Sequence, residues 1–155
     1  INNTGFPPKE FPHPIAFNCI PQIGSFSEDG FCSEEKKIIN ETKKILRLPD
    51  LKVSAFTVRI PSLNGHSESV WCRLKTEASK KEIVDTFKKS DGLIFLEKNE
   101  EYPMVSTVSG KDPVYVGRLH KDLDQPNTWI FWVVADNIRK GAALNGLQIA
   151  EKIFC

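Results

Sequence analysis

Arg59 and His66 are the residues whose types and spacing most directly suggest chemistry in this chain. They bracket Ile60-Pro61-Ser62-Leu63-Asn64-Gly65, which joins two strand-like segments, 52–60 and 67–75. An arginine that ends one strand and a histidine that opens the next can face a shared cleft. The guanidinium offers a planar, permanently charged fork for a carboxylate or phosphate, and the imidazole exchanges a proton near neutral pH. Gly65 allows a tight backbone approach, and Glu68 is near enough in sequence to orient a ring nitrogen. The plainer reading is a surface arginine at a strand end and a histidine in a turn.

Glu34 and Lys37 stand one turn apart at the head of a predicted helix. A carboxylate and an ammonium there can hold an amino group and a phosphate, with the helix N-terminus adding to anion binding. The same pair also suits a solvated helix face, and the adjacent Glu35 and Lys36 leave the register open. Before the last predicted helix, Asp136 or Asn137 can act as its cap, or Asn137 can reach a bound ring amide. Ala142, Gly146 and Ala150 give that helix a face of small side chains, whose simplest use is packing on the chain's own sheet.

Cys19, inside an apolar run with no base nearby in sequence, reads as a packed core thiol. With Cys32, Cys72 and Cys155 it shows no metal-type spacing, so reduced thiols and no metal site are expected. No glycine-rich phosphate loop, HExxH or GxSxG is present.

The elements that must position these groups follow from periodicity. Prolines 7, 8, 12 and 14 make residues 1–14 an extended linker. Strands are predicted over 15–20, 54–60, 67–75, 92–96, 114–116 and 129–134, and helices over 33–46, capped by Ser33, 79–89 and 138–154. The run Trp129-Ile130-Phe131-Trp132-Val133-Val134 is apolar throughout, as a central strand covered on both faces would be. The order predicts an α+β fold, a largely antiparallel mixed sheet with helices packed on one face.

A chain of 155 residues, 40% apolar and 26% charged, suits one domain, here 15–155. A net charge of +1 gives no reason to expect nucleic acid or an anionic membrane as partner, and no apolar run approaches the ~20 residues that cross a bilayer. The first residues lack the basic start and apolar stretch of a signal peptide, and the absence of an initiating methionine suits a fragment or a processed product.

In chain order these segments resemble the C-terminal domain of the aspartate-semialdehyde dehydrogenase family. The resemblance rests on His13-Pro14-Ile15-Ala16-Phe17-Asn18, Ser33-Glu34-Glu35-Lys36-Lys37, Val58-Arg59-Ile60-Pro61, Gly65-His66-Ser67-Glu68 and Val116-Gly117-Arg118-Leu119. It closes on Asp136-Asn137-Ile138-Arg139-Lys140-Gly141-Ala142-Ala143 and covers roughly residues 12 to 153. Such a domain resembles its counterpart in glyceraldehyde-3-phosphate dehydrogenase-type enzymes.

The resemblance implies an NADPH-dependent reduction of L-4-aspartyl phosphate to L-aspartate 4-semialdehyde and phosphate, serving lysine (by way of diaminopimelate), threonine and methionine synthesis in the cytoplasm. It implies His66 as the acid/base, Arg59 on the substrate carboxylate, Glu34 on the amino group, Lys37 on the phosphate and Asn137 near the nicotinamide. It implies a homodimer as well. The family's dinucleotide-binding domain and its nucleophilic cysteine, in an Asn-Cys-Ser/Thr motif, are absent here. Asn18-Cys19 is followed by Ile20, so Cys19 is not that nucleophile, and the chain alone is expected to be inactive. The alternatives are a related acyl-phosphate reductase of the N-acetylglutamyl phosphate type and a non-catalytic oligomerisation module on the same fold.

Overall fold

Periodicity switches from helical to extended near residue 50, and the architecture follows that switch. The computed structural model describes residues 10–155, so most of the expected linker lies outside the described residues. The chain falls into two compact units, one ending at Pro61 and the other beginning at Ser62.

The first unit is built on helix α1, Ser33–Ile45. Its cap is Cys32, one residue before the expected Ser33. The Glu35 carboxylate reaches back to accept the Cys32 N–H at 2.8 Å, satisfying a donor that the helix itself leaves unpaired. Glu34 and Glu35 in the first turn and Lys43 and Lys44 in the last complement the helix dipole.

The expected strand over 15–20 is instead a turn. Asn18 donates its backbone N–H to the Ile15 carbonyl and its side-chain amide to that of Pro14, and Phe17 takes a positive φ of 62°. The turn leaves Cys19 exposed, which corrects its reading as a packed thiol. Residues 51–60 alternate inward and outward without a break, as a strand would. Among the described residues they nevertheless form no ladder beyond an isolated antiparallel bridge between Ile20 and Arg59, so the strand expected over 54–60 is extended chain outside any sheet.

The second unit is a sheet with helices. Its elements are β1 (His66–Arg73), α2 (Lys80–Lys89), β2 (Leu93–Phe95), α3 (Val105–Val108), β3 (Val114–Lys121), β4 (Thr128–Ala135), a π-helical turn (Arg139–Ala143) and α4 (Leu144–Phe154). The strand order is β1-β4-β3-β2, antiparallel except for the parallel β2–β3 pair. The apolar β4 is internal, as its composition demands.

Ser79 caps α2 by accepting the Glu82 N–H, while the Glu82 carboxylate takes the Ser79 N–H and hydroxyl. The helix then lays Ile83, Val84 and Phe87 on one sheet face against Leu119, Trp129 and Phe131. The Phe87 ring stacks on Phe95 at 5.5 Å and meets Phe131 edge-on at 5.4 Å. On the opposite face the Trp132 indole donates to the Pro103 carbonyl at 3.0 Å.

Sequence reasoning ended β3 at Val116, whereas the strand continues through a register shift between Gly117 and His120, where Arg118 has φ 58°. The short α3 has no counterpart among the elements expected from periodicity. The last helix begins as a π-helical turn, and no residue of α4 is buried, so its small-residue face does not pack on the sheet as expected.

Candidate active site

Glu34 and Lys37 do meet on α1. The Lys37 ammonium lies 3.3 Å and 3.5 Å from the two Glu34 oxygens, with both side chains partly open to solvent. Their neighbour Glu35 points inward and is buried, which settles the register left open by four successive charged residues. One Glu35 oxygen takes the Cys32 N–H, and the other takes the Thr57 N–H at 2.8 Å. The two donors hold its carboxyl below the ordinary value of 4.5 against the opposing effect of burial.

Thr57 is two residues ahead of Arg59, on the same side of the alternating segment 51–60. The Arg59 backbone exchanges two hydrogen bonds with Ile20, of 2.8 and 2.9 Å, and its guanidinium lies 4.8 Å above the Phe11 ring. An aromatic face beneath a guanidinium steadies the plane and leaves the fork free for a carboxylate. Phe11 falls within the linker expected over residues 1–14. Its signal was an aromatic side chain in an otherwise proline-rich stretch.

His66 opens β1 in the second unit, paired with Ala135 of β4. The residue before it, Gly65, has φ 89°, and a Cβ there would stand 3.1 Å from the Ala135 carbonyl oxygen and 3.2 Å from Val105 Cγ1. Only glycine fits this entry without strain. Asn137 Oδ1 accepts the Gly65 N–H at 2.7 Å. Asp136, buried, accepts from the Asn64 side-chain amide and from the backbone N–H groups of Gly110, Ile138 and Arg139. Its carboxyl is held below the ordinary 3.8, chiefly by the Gly110 N–H.

Neither Asp136 nor Asn137 is the cap residue of the last helix, since Ile138 precedes the π-helical turn and Ala143 precedes α4. Asp136 instead takes the N–H groups at the head of that turn and clamps the loop that leads into His66. Asn137 serves that loop through its oxygen, leaving its amide nitrogen without a partner among the described residues. Glu68 does not orient the imidazole. Both side chains are exposed on one face of β1, and among the described residues no hydrogen bond joins them.

A family model described as semialdehyde dehydrogenase, dimerisation domain, matches residues 2–140. The chain belongs to the semialdehyde dehydrogenase family. Among its relatives, an aspartate-semialdehyde dehydrogenase of Aquifex aeolicus is 48% identical over 145 residues, covering 92% of this chain and 43% of that protein. One from Bacillus subtilis is 46% identical over 142 residues, covering 90% and 41%. The crystal structure of aspartate semialdehyde dehydrogenase II from Vibrio cholerae, complexed with ASA, superposes with a TM-score of 0.89 at 39% identity, covering 94% of this chain and 43% of that one. The chain therefore spans about 43% of the length of the curated relatives it matches. The enzyme from Candida albicans solved with NADP has a TM-score of 0.68 at 24% identity and shares the fold.

Within this semialdehyde dehydrogenase domain, the residues singled out from the sequence fall in different units. Glu34, Lys37 and Arg59 belong to the first, and His66 and Asn137 to the second. Among the described residues no group of three or more His, Cys, Asp or Glu side chains is arranged to hold a metal ion.

Proposed function

We propose that residues 15–155 are the substrate-binding and dimerisation part of a cytoplasmic, homodimeric aspartate-semialdehyde dehydrogenase, with residues 1–14 as the extended segment leading into it. The whole enzyme converts L-4-aspartyl phosphate to L-aspartate 4-semialdehyde and phosphate. What carries this reading is the likeness to aspartate-semialdehyde dehydrogenases over nine-tenths of the chain, at 48% identity in the Aquifex aeolicus relative.

Arg59 takes the substrate carboxylate in a two-point grip, on a guanidinium whose plane is steadied by Phe11. Glu34 receives the substrate ammonium. Lys37, now paired with Glu34, turns to the phosphate as a mobile point charge when the substrate amino group takes its place on Glu34. His66 gives or takes the proton on the reacting carbonyl oxygen as that carbon is reduced or oxidised.

NADPH, when bound, supplies the hydride. In this chain the Asn137 amide nitrogen suits the nicotinamide carboxamide, while its oxygen remains on Gly65. No glycine-rich turn from strand to helix is present for the phosphates, so the dinucleotide's main site belongs to a part of the enzyme outside this chain. Trp71 lies exposed on the sheet face opposite α2, which suits the subunit interface of a dimer.

The test is a substrate comparison on the full-length enzyme, run as phosphate-dependent oxidation of aldehydes. L-Aspartate semialdehyde is expected to outpace N-acetylglutamate semialdehyde by at least ~100-fold in kcat/KM, because Glu34 has no cation to meet in an acetylated amine. A preference for the acetylated aldehyde would transfer the assignment to the other reductase class.

A further inference from the structure

The three groups proposed to hold the substrate within the first unit stand on two separate pieces of chain. Glu34 and Lys37 ride on the first turns of α1, so their spacing is set by the helix itself. Arg59 lies 22 residues beyond Lys37, on a segment with no sheet ladder to fix it. Something must tie that segment to α1, or the carboxylate grip and the amino and phosphate contacts would drift apart.

We infer that Glu35 is the positioning residue that sets Arg59 against Glu34 and Lys37. Its two oxygens reach in different directions, one to the Cys32 N–H at the head of α1 and the other to the Thr57 N–H, two residues from Arg59. Both bonds are 2.8 Å long. A second thread runs beside them, Cys32 Sγ lying 3.2 Å from Thr57 Oγ1.

The choice of a carboxylate here needs a reason, because a charge at 5% exposure is costly to bury and neither of its bonded donors is a cation. Two acceptors facing two backbone donors supply that reason. Glutamine has the same shape but a single acceptor, so its amide group would confront one of the two N–H groups with another donor. Ionisation makes both bonds charge-assisted and stiff. The depressed acidity of Glu35 agrees with this geometry.

The inference rests on the substrate roles proposed above and predicts a selective defect. In Glu35→Gln, Glu34 and Lys37 stay on their helix, while the segment carrying Arg59 loses its carboxylate tie to α1 and keeps only its bonds to Ile20 and the Cys32–Thr57 contact. A substrate that needs Arg59 suffers, and one that does not is spared. The probes are L-aspartate semialdehyde and 3-aminopropanal, which is the same molecule without its carboxylate.

For the full-length enzyme, kcat/KM is measured with both aldehydes, and the quantity read is their ratio. That ratio is independent of how much of a variant is folded. Glu35→Gln is expected to lower it by about 10- to 100-fold, through loss on L-aspartate semialdehyde, the size expected for an ångström-scale misplacement. Glu35→Asp keeps the charge with a shorter reach and is expected to fall between Glu35→Gln and the unaltered enzyme. An equal loss on both aldehydes in the two variants, or an unchanged ratio, would make Glu35 a structural residue and overturn the inference alone. An unaltered enzyme that fails to prefer L-aspartate semialdehyde would instead overturn the substrate roles, and this inference with them.

Discussion

Arg59 and Lys37 are the two fixed positive charges proposed for a small anionic substrate, and the chain holds them differently. Arg59 lies over an aromatic ring with its backbone tied to Ile20, whereas Lys37 sits on an open helix turn in an ion pair with Glu34. The first arrangement suits a rigid two-point grip and the second a charge that changes partner. Arg59→Lys in the full-length enzyme is therefore expected to lower kcat/KM about 30- to 100-fold, roughly 2–3 kcal/mol, from the loss of one charged hydrogen bond and the planar fork. Steady-state kinetics would show it, and a near-normal value would remove Arg59 from the carboxylate.

Two buried carboxylates give a pH prediction at the same scale. Glu35 and Asp136 both have folded-state acidities shifted below the ordinary values of 4.5 and 3.8 by backbone N–H donors. Their stabilisation is then fully present above those ordinary values and is lost as pH falls through the lower, folded ones. Denaturant midpoints should hold steady from pH 7 to about 5 and decline below that. In Glu35→Gln the neutral-pH midpoint should be lower and the acid decline shallower. An acid profile identical to that of the unaltered protein would contradict the roles of these bonds.

At the scale of elements, the entrance to β1 is tightly constrained. Gly65 at φ 89° is pinned by Asn137, and its missing Cβ is the clearance between the loop, the Ala135 carbonyl and Val105. Gly65→Ala should destabilise the protein by about 1–3 kcal/mol and displace His66 with it, so activity should fall further than stability alone explains. Differential scanning calorimetry beside the kinetics separates the two effects.

The same scale shows what the sequence made legible. The helix α2 and the internal place of β4 follow from local pattern, because period and composition agree there. The turn at residues 14–18 was misread because Ile15, Ala16 and Phe17 are apolar, while the decisive signal was Asn18 bonding back to Pro14. The end of β3 was misplaced because the bulge at Arg118 breaks the alternation that marks a strand. The charged pair on α1 could be read from spacing, but the inward-facing Glu35 could not. Its partner Thr57 is 22 residues away, and only folding brings the two together.

For the whole molecule, the chain spans about 43% of the length of its curated relatives, and much of what it leaves exposed is apolar. Trp71 stands 61% exposed on the sheet, and α4 presents Leu147, Ile149, Ile153 and Phe154 to solvent. Open apolar side chains such as these suit a subunit contact. If the sheet face carries the dimer, Trp71→Asp should shift the mass of the full-length enzyme from dimer toward monomer at micromolar concentration. Light scattering would register the change, and an unaltered dimer would place the interface elsewhere.

The measurement that bears most directly on the account is phosphate-dependent NADP reduction with L-aspartate semialdehyde, run on the full-length enzyme and on this chain side by side. Turnover is expected from the full-length enzyme and none from the chain, with a fall of at least ~100-fold in full-length His66→Asn. Turnover by the isolated chain, or a folded full-length protein with no activity on this aldehyde, would contradict it.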